Sequence, residues 1–386
     1  MKKILIVGAY GCGNKGDDAI LEGFKNTLGK TYEIISTEGK YGKLKEIMGE
    51  THSTISCRMN EGININVLIN LISFFPRYYK VLKNVEFVII GGGSLLHDIT
   101  KYNLPFFRLL QFLAKVRKKS VIYAGVGAGP LQTKAGRKTA RKFLNKSKKV
   151  FVRDPIDYRL LKEIGVNNAV LSADMAFCVR NSNESSATIL TKYGLTKKEY
   201  IVVTACHWFK SDNFWNMDKM DFSDDRNKLI SAINKLIIKF GKKVVFLPTV
   251  MHDYKLGQLL KEEINIDDFL VIEHNYNCKE MSYVVENSFF LFGTRMHSMI
   301  FAIRSGVPFV STIYDNKVRN LLKRVDMLEY SIDFNEINTF QFESVIDHML
   351  DNYDDISNML IQKAHELNEI VVRDMNNIIE MMSENK

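Results

Sequence analysis

Proline is scarce in this chain, six in 386 residues, and no Ser/Gly-rich or low-complexity stretch accompanies it. That excludes a Pro-rich spacer or a disordered tether. Cysteine is sparse too. The five cysteines (12, 57, 178, 206 and 278) are odd in number and form no C-x-x-C. This excludes a disulfide framework and fits reduced thiols in a cytosol. No cluster of His, Cys, Asp or Glu has metal-ligand spacing, so no metal is expected. No repeat of solenoid period is present. The longest charge-free run, Gly62–Pro76, falls short of the ~20 residues of a membrane span and carries three Asn. No signal-type segment precedes the first apolar run, because Lys2-Lys3 leads straight into Ile4–Val7. The expectation is a cytoplasmic protein. The apolar fraction, 46%, is enough for a real core, and the length suggests two domains.

The net charge of +9 hides an asymmetry. Residues 1–180 hold thirty Lys/Arg against fourteen Asp/Glu, a surplus of sixteen positive charges. The remainder holds twenty-three against thirty, a deficit of seven. A basic half joined to a mildly acidic half points to an anionic partner on one side.

Short apolar runs alternate with stretches of 3.6-residue spacing along most of the chain. Ile4–Val7, Glu33–Ser36, Phe87–Ile90, Val121–Gly125, Val150–Val152 and Val170–Leu171 read as strands. So do Ile201–Thr204, Val244–Leu247, Leu270–Ile272, Phe289–Phe292 and Phe309–Thr312. This alternation predicts parallel sheets flanked by helices, and the strands are too many for one sheet of ordinary size. The expected fold class is α/β with two facing Rossmann-like domains. They would meet near the polar stretch Asn181–Ala187, "NSNESSA". The divisions are residues 1–183, residues 184–340 and a helical tail over 341–386.

Ligands of doubly wound sheets sit beyond the carboxyl ends of the strands. The segments there are rich in chemistry: "GAYGCGNKGDD", "GGGSLLHD", "GVGAGP", "RDP", "ADMAF", "CHWF", "PTVMHD", "GTRMHS" and "IYDNK". Gly11, Gly13 and Gly16 spell G-x-G-x-x-G, the dinucleotide pattern. Counted from the strand, however, the second glycine should stand at residue 10, which is Tyr10. Asp17 and Asp18 at the following helix start would repel a pyrophosphate. Glu38 does stand where a ribose ligand would, but the loop reads better as serving another ligand.

"GNKGDDAI" (13–20) resembles the N-G-D-x-A opening of the polysaccharide pyruvyl transferase family. The similarity continues through "GGGSLLHD" (91–98), "AGVGAGP" (124–130), "FVRDPIDYRLLKEIGV" (151–166) and "ADMAF" (173–177). Its most specific block is "GTRMHSMIFAIRSGVPFVSTIYDNK" (293–317), and the whole spans about residues 3–324. "CHWF" (206–209), where an Arg is expected, and the loosely spaced "PTVMHD" (248–253) depart from the pattern and bear on substrate identity. The resemblance implies a fold similar to GT-B-like glycosyltransferases. It also implies transfer of the enolpyruvyl unit of phosphoenolpyruvate to two hydroxyls of one sugar, giving a cyclic pyruvate ketal and phosphate. Phosphoenolpyruvate is then a co-substrate, and no cofactor is implied. A nucleotide-sugar-dependent glycosyltransferase of polysaccharide assembly is the alternative activity, and a membrane-attached scaffold the non-enzymatic one.

The residues fit this chemistry. Phosphoenolpyruvate is small and strongly anionic, and Arg grips carboxylate and phosphate by paired N–H bonds. Arg295 and Arg153 each follow a strand, and free N–H groups at a helix start add to an anion site. Asp154 and Pro155 read as the cap and first position of a helix. Protonating the alkene carbon needs an acid of near-neutral pKa, for which His297 is the candidate; the same His could serve as a helix cap. Asp17, Asp174 and His252 could deprotonate or orient sugar hydroxyls, with Asp17 equally readable as a cap. Lys317 could contact phosphate or merely open a solvated helix. Asn14, Gly16, Gly92, Gly93 and Gly127 complete the expected substrate-binding set through the matched motifs.

Lys134, Arg137, Lys138, Arg141 and Lys142 share one helical face, and no acid occurs from 134 to 149. "LPFFRLLQFLAKVRKK" (104–119) mixes aromatic and basic residues, and "INVLINLISFF" (65–75) is amphipathic. These are either wet outer faces of packed helices or a peripheral surface for anionic lipid on the inner face of the membrane. A lipid-linked saccharide acceptor would account for the charge split. Nucleic acid is not an expected partner, since no recognised binding module accompanies the charge.

Overall fold

The computed structural model describes residues 1–38, 53–56, 76–100, 103–180, 184–206 and 223–384. Of the features named above, residues 65–75 and His207–Phe209 lie outside the described residues, as do Asn181–Asn183 of the expected junction. Packing divides the chain into two units, residues 1–179 with 367–386, and residues 180–366. The C-terminal stretch expected as a tail is indeed helical, Phe340–Asp351 and Tyr353–Ser383. It forms no third body: 341–366 belong to the second unit and 367–386 to the first.

The first unit holds a seven-stranded sheet of β1 (Lys2–Val7), β2 (Tyr32–Glu38), β3 (Ser53–Ser56), β4 (Phe87–Gly91), β5 (Ser120–Val126), β6 (Lys149–Val152) and β7 (Ala169–Leu171). Its order is β3-β2-β1-β4-β5-β6-β7, and every pair is parallel. The second unit holds β8 (Tyr200–Thr204), β9 (Lys243–Phe246), β10 (Phe269–Val271), β11 (Leu291–Gly293), β12 (Phe309–Thr312) and β13 (Ser331–Ile332). Its order is β10-β9-β8-β11-β12-β13, again all parallel. The central strands read as unbroken apolar runs because both faces are covered: Ile4 to Ile6 and Phe87 to Ile90 are fully buried. All eleven expected strands are present, some shifted by a residue or two. β3 ("STIS") and β13 ("SI") were not expected, since neither is an apolar run.

Strand order fixes which side each helix covers. From β4 to β7 every crossover steps the same way along the sheet, so right-handed connections place the intervening helices on one face. Asn103–Val116, Lys134–Leu144 and Pro155–Glu163 do share one core with residues 76–82, through Tyr78, Phe107, Leu110, Ala140, Phe143 and Leu161. The helix Lys15–Leu28 steps the other way and covers the opposite face. There it approaches the short 3₁₀ turn Met175–Cys178 so closely that a Cβ on Gly23 would lie 2.0 Å from the Met175 carbonyl oxygen. The last helix reaches the same turn, where Asn368 Nδ2 donates to Phe177 O at 3.0 Å.

Gly23 therefore sets the distance between the first helix and the turn that carries Asp174. Ala would gain about 1 kcal/mol in helix propensity. A backbone carbonyl cannot move aside as a flexible side chain can, so overpacking of about 1–3 kcal/mol or more outweighs the gain. Gly23→Ala is expected to lower the midpoint of thermal unfolding by several degrees; an equal or higher midpoint would refute this close approach.

Candidate active site

Parallel strands deliver their following loops to one edge of a sheet, and in the first unit eight of the expected residues gather at that edge. The loops after β4 and β5 continue the sheet's pairing beyond the strands. Gly127 N donates to Gly93 O (2.8 Å), Leu96 N to Gly127 O (3.2 Å) and Asp98 N to Pro130 O (3.1 Å). Gly92 and Gly93 take φ of +69° and +74°, conformations that favour glycine, and this lets the chain turn back over the sheet edge. A Cβ on Gly93 would sit 3.5 Å from Asp17 Oδ1, and one on Gly127 3.2 Å from Arg153 Nη2. Asn14, Gly16, Asp17, Gly92, Gly93, Gly127, Arg153 and Asp174 thus belong to one neighbourhood.

Its centre is Arg153, the first residue after β6. It is buried, with Nη1 donating to Asp174 Oδ2 and Nη2 to Ser94 Oγ, both at 2.9 Å. Burial works against the cation, and the Asp174, Asp157 and Asp154 carboxylates outweigh it, so the guanidinium stays charged. Asp174 also caps the 3₁₀ turn through Ala176 N. Asp154 caps the helix Pro155–Glu163, accepting from Ile156 N and Asp157 N, with Pro155 opening that helix as expected. Asp157 Oδ2 accepts from Ala128 N at 2.7 Å. Burial first, and the neighbouring Asp154 second, push the Asp157 carboxyl up to about 8. Ser94 and Asp157 were not among the expected site residues.

The loop after β1 is filled by its own side chains. A Cβ on Gly8 would lie 2.4 Å from Tyr10 Cζ, and the Tyr10 hydroxyl donates to Gly91 O at 2.7 Å. Asn14 caps the helix through Gly16 N, and its amide donates to Asp17 Oδ2 at 2.9 Å. Asp18, buried, accepts from Gly11 N. Burial raises its carboxyl, and the Gly11 bond and Lys15 act against that rise. Side chains thus hold Gly11 N and Gly16 N, two of the backbone donors that a dinucleotide loop would turn to a pyrophosphate.

In the second unit Arg295 is itself the N-cap residue of the helix Met296–Ser305, and its carbonyl accepts from Ser298 N. Ser298 Oγ bonds Arg295 O (2.6 Å) and Thr204 Oγ1 (3.0 Å), tying the helix start to the end of β8. The Arg295 guanidinium meets Asp253 in a fork: Nε donates to Oδ2 at 3.0 Å and Nη2 to Oδ1. Asp253 is held in turn by Thr249 N, Thr249 Oγ1 and Val250 N. Burial again opposes the Arg295 cation and Asp253 outweighs it. Asp253 was missed, although a carboxylate at the third position of a helix, four residues after Thr249, is a legible capping signal.

The other expected residues fall as follows. His297 is half-buried at the second position of the Arg295 helix. His252 is exposed in the first turn of Met251–Ile264, beside Asp253. Lys317 lies 5.3 Å over the Tyr314 ring and 3.4 Å from Asp315 Oδ2. Burial raises the Tyr314 hydroxyl, while Lys317 and Arg295 pull it down, so these three side chains are electrostatic neighbours. Among the described residues no group of three or more His, Cys, Asp or Glu side chains could hold a metal ion.

The sequence model of the polysaccharide pyruvyl transferase family matches residues 14–316. Amylovoran biosynthesis protein AmsJ of Erwinia amylovora is 23% identical over 411 aligned positions, covering 94% of this chain and 96% of AmsJ. Among solved structures, a glycosyltransferase from Rickettsia africae superposes with a TM-score of 0.63 at 13% identity, each chain covered completely. UDP-GlcNAc 2-epimerase from Methanocaldococcus jannaschii does so with a TM-score of 0.62 at 15% identity, with equal coverage. At such identities the structural likeness speaks for the fold, which is that of GT-B-like glycosyltransferases and epimerases.

The raised Asp157 carboxyl makes stability depend on pH. Folded Asp157 keeps its proton when the unfolded chain, with an ordinary carboxyl near 3.8, has lost it. Stability is therefore lost as pH rises from 3.8 towards about 8. Asp157→Asn retains an acceptor for Ala128 N–H but does not titrate. Its unfolding midpoint should fall less steeply than the wild type's across that range; parallel profiles would show that Asp157 ionises normally.

Proposed function

The chain belongs to the polysaccharide pyruvyl transferase family, a family of transferases, and from that premise we propose that it ketalises a sugar with phosphoenolpyruvate. AmsJ, by its name a protein of amylovoran biosynthesis, and the family's own description support polysaccharide as the setting. The observation that carries the reading is a repeated device. Each unit has a buried arginine as the first or second residue beyond a strand end, locked by an aspartate at the start of a helix or helical turn. A planar guanidinium fixed in this way is suited to an oxyanion such as a carboxylate or a phosphate.

In this reading Asp253 fixes the Arg295 guanidinium in direction, and a donor oxyanion meets that guanidinium. The N–H groups at the start of the Met296–Ser305 helix contribute a partial positive charge. Lys317, which like Arg295 acts on the Tyr314 hydroxyl, adds a phosphate contact. His297 gives a proton to the methylene carbon, which becomes the methyl group, and the cationic C2 takes the first sugar oxygen. The second sugar hydroxyl then displaces phosphate from C2, closing the ketal, and the two hydroxyl protons leave to base and to phosphate. Arg153, with Asp174 as its positioning partner, is the corresponding anion-binding candidate of the first unit. Asp17, half-buried beside Gly93 and oriented by Asn14, suits the role of base for a sugar hydroxyl. His252, in the same turn as Asp253, could orient the second hydroxyl. The acceptor is a free or lipid-linked saccharide, and the basic first half would favour the inner membrane face.

Arg295→Lys keeps the charge but loses the fork. Turnover, measured as phosphate released from phosphoenolpyruvate in the presence of acceptor, is expected to fall by roughly tenfold or more. Near-normal turnover in folded protein would remove Arg295 from the donor site. If UDP-sugars rather than phosphoenolpyruvate raised the unfolding midpoint, the donor assignment itself would be lost.

His297→Gln retains hydrogen bonding but cannot transfer a proton. Turnover should drop by about 10²–10⁴ with donor affinity little changed. In deuterated water the wild type should place deuterium in the ketal methyl, and the variant should do so slowly. Normal turnover with weakened donor binding would make His297 a binding residue. Half-buried His97 would then be the acid to examine, its imidazole lowered by burial against the pull of Asp98.

A further inference from the structure

Four helical segments of the first unit share a buried core, and their opposite sides look outward. Three of them, residues 76–82, Asn103–Val116 and Lys134–Leu144, turn only cations and apolar groups outward, while the fourth, Pro155–Glu163, exposes Glu163 beside Lys162. On Lys134–Leu144 the inward residues are Gly136, Ala140, Phe143 and Leu144. Lys134, Arg137, Lys138, Arg141 and Lys142 are all exposed. On Asn103–Val116 the exposed stripe is Pro105, Arg108, Phe112, Lys115 and Val116, with Phe112 58% and Val116 51% exposed. Residues 76–82 add exposed Arg77 and Lys80, and Arg117 stacks 3.5 Å over the Tyr79 ring, joining that segment to the neighbouring helix. None of the three segments contains a carboxylate, and the chain has none between Asp98 and Asp154.

A wet helix face ordinarily mixes both signs of charge. This one is of a single sign, and a phenylalanine and a valine stand exposed among its cations. That pairing of apolar and basic side chains suits the boundary between lipid headgroups and acyl chains. A strand of nucleic acid would call instead for a groove with stacking aromatics. No described helix is long and apolar enough to cross a membrane, so any association would be at the surface.

We propose that this face docks on an anionic lipid bilayer, Phe112 and Val116 entering the interface and the Lys134–Leu144 cations meeting lipid phosphates. The inference extends the membrane side of the reading above and is independent of which donor is used. Asp98 couples the face to the site edge: it accepts from Gln132 N, Thr133 N and Thr133 Oγ1 at the start of the basic helix. Partial burial raises its carboxyl, and those bonds more than reverse the rise. A docked helix would thus stand next to the loops that carry Gly93 and Gly127, where a lipid-linked saccharide would be presented.

The test is flotation of the full chain with phosphatidylcholine vesicles, with and without phosphatidylglycerol, at low salt and without donor or acceptor. The wild type should float only with the anionic vesicles. Each basic residue near such a surface is worth about fivefold in partitioning, so Lys138→Glu with Arg141→Glu should cost about 25-fold or more. Phe112→Ser should cost several-fold, and neither variant should change the unfolding midpoint or turnover of a soluble acceptor. Failure of the wild type to bind, or equal binding by the charge-reversed variant, would overturn the proposal. So would an unaffected Phe112→Ser that bound single-stranded nucleic acid as well as vesicles, which would mark a general polyanion surface. Phosphate release is measured separately, so failure of transfer and failure of docking are distinguishable.

Discussion

A guanidinium buried in a protein interior must be paired, and that requirement organises both halves of this molecule. Arg153 and Asp174 are each 5% exposed at the side chain, and Asp253 is more deeply buried than Arg295. Removing one member of such a pair strands a charge at a cost of about 3–5 kcal/mol. The pairing in turn needs the surrounding backbone. Asp174 bonds the turn that Gly23 admits against the first helix. Asp253 rests on Thr249 and Val250 N–H groups at the end of the loop after β9. Each arginine is thereby fixed in direction, so little of its side-chain freedom remains to be lost in any further contact.

The two units solve the same problem by different local means. In the first, the loops after β4 and β5 are joined to each other by backbone hydrogen bonds, and glycine lets them lie against Arg153 and Asp17 without a Cβ. In the second, a single residue is both helix cap and guanidinium donor, so position and charge come from one element. A serine one turn on secures it, through the Thr204 hydroxyl at the end of β8. The first arrangement is built from surfaces that meet, the second from one helix start.

Much of this was legible in the chain. Unbroken apolar runs marked the buried strands, and Asp154-Pro155 marked a cap, because those signals are local. The arginines stood out for the same reason, each following a strand. Their partners did not. Asp174 stood out only as a group to deprotonate or orient sugar hydroxyls, and Asp253 was passed over for its neighbour His252, because an ion pair between residues 21 or 42 apart leaves no mark in spacing. β3 and β13 escaped because an edge strand need not be apolar. The division of the C-terminal helices between the units was hidden likewise, since 3.6-residue spacing records that a face is covered and not what covers it.

The outer face of residues 76–82, Asn103–Val116 and Lys134–Leu144 carries lysines and arginines without one carboxylate or imidazole among them. The field of that face rests on these cations alone. Besides screening by salt, what can weaken it is a change in the number of the cations themselves. Acylation of lysine removes one positive charge at a time, and the arginines are untouched by that chemistry. A surface of this composition is graded by covalent modification in discrete steps, with Arg137 and Arg141 setting the floor on its own helix.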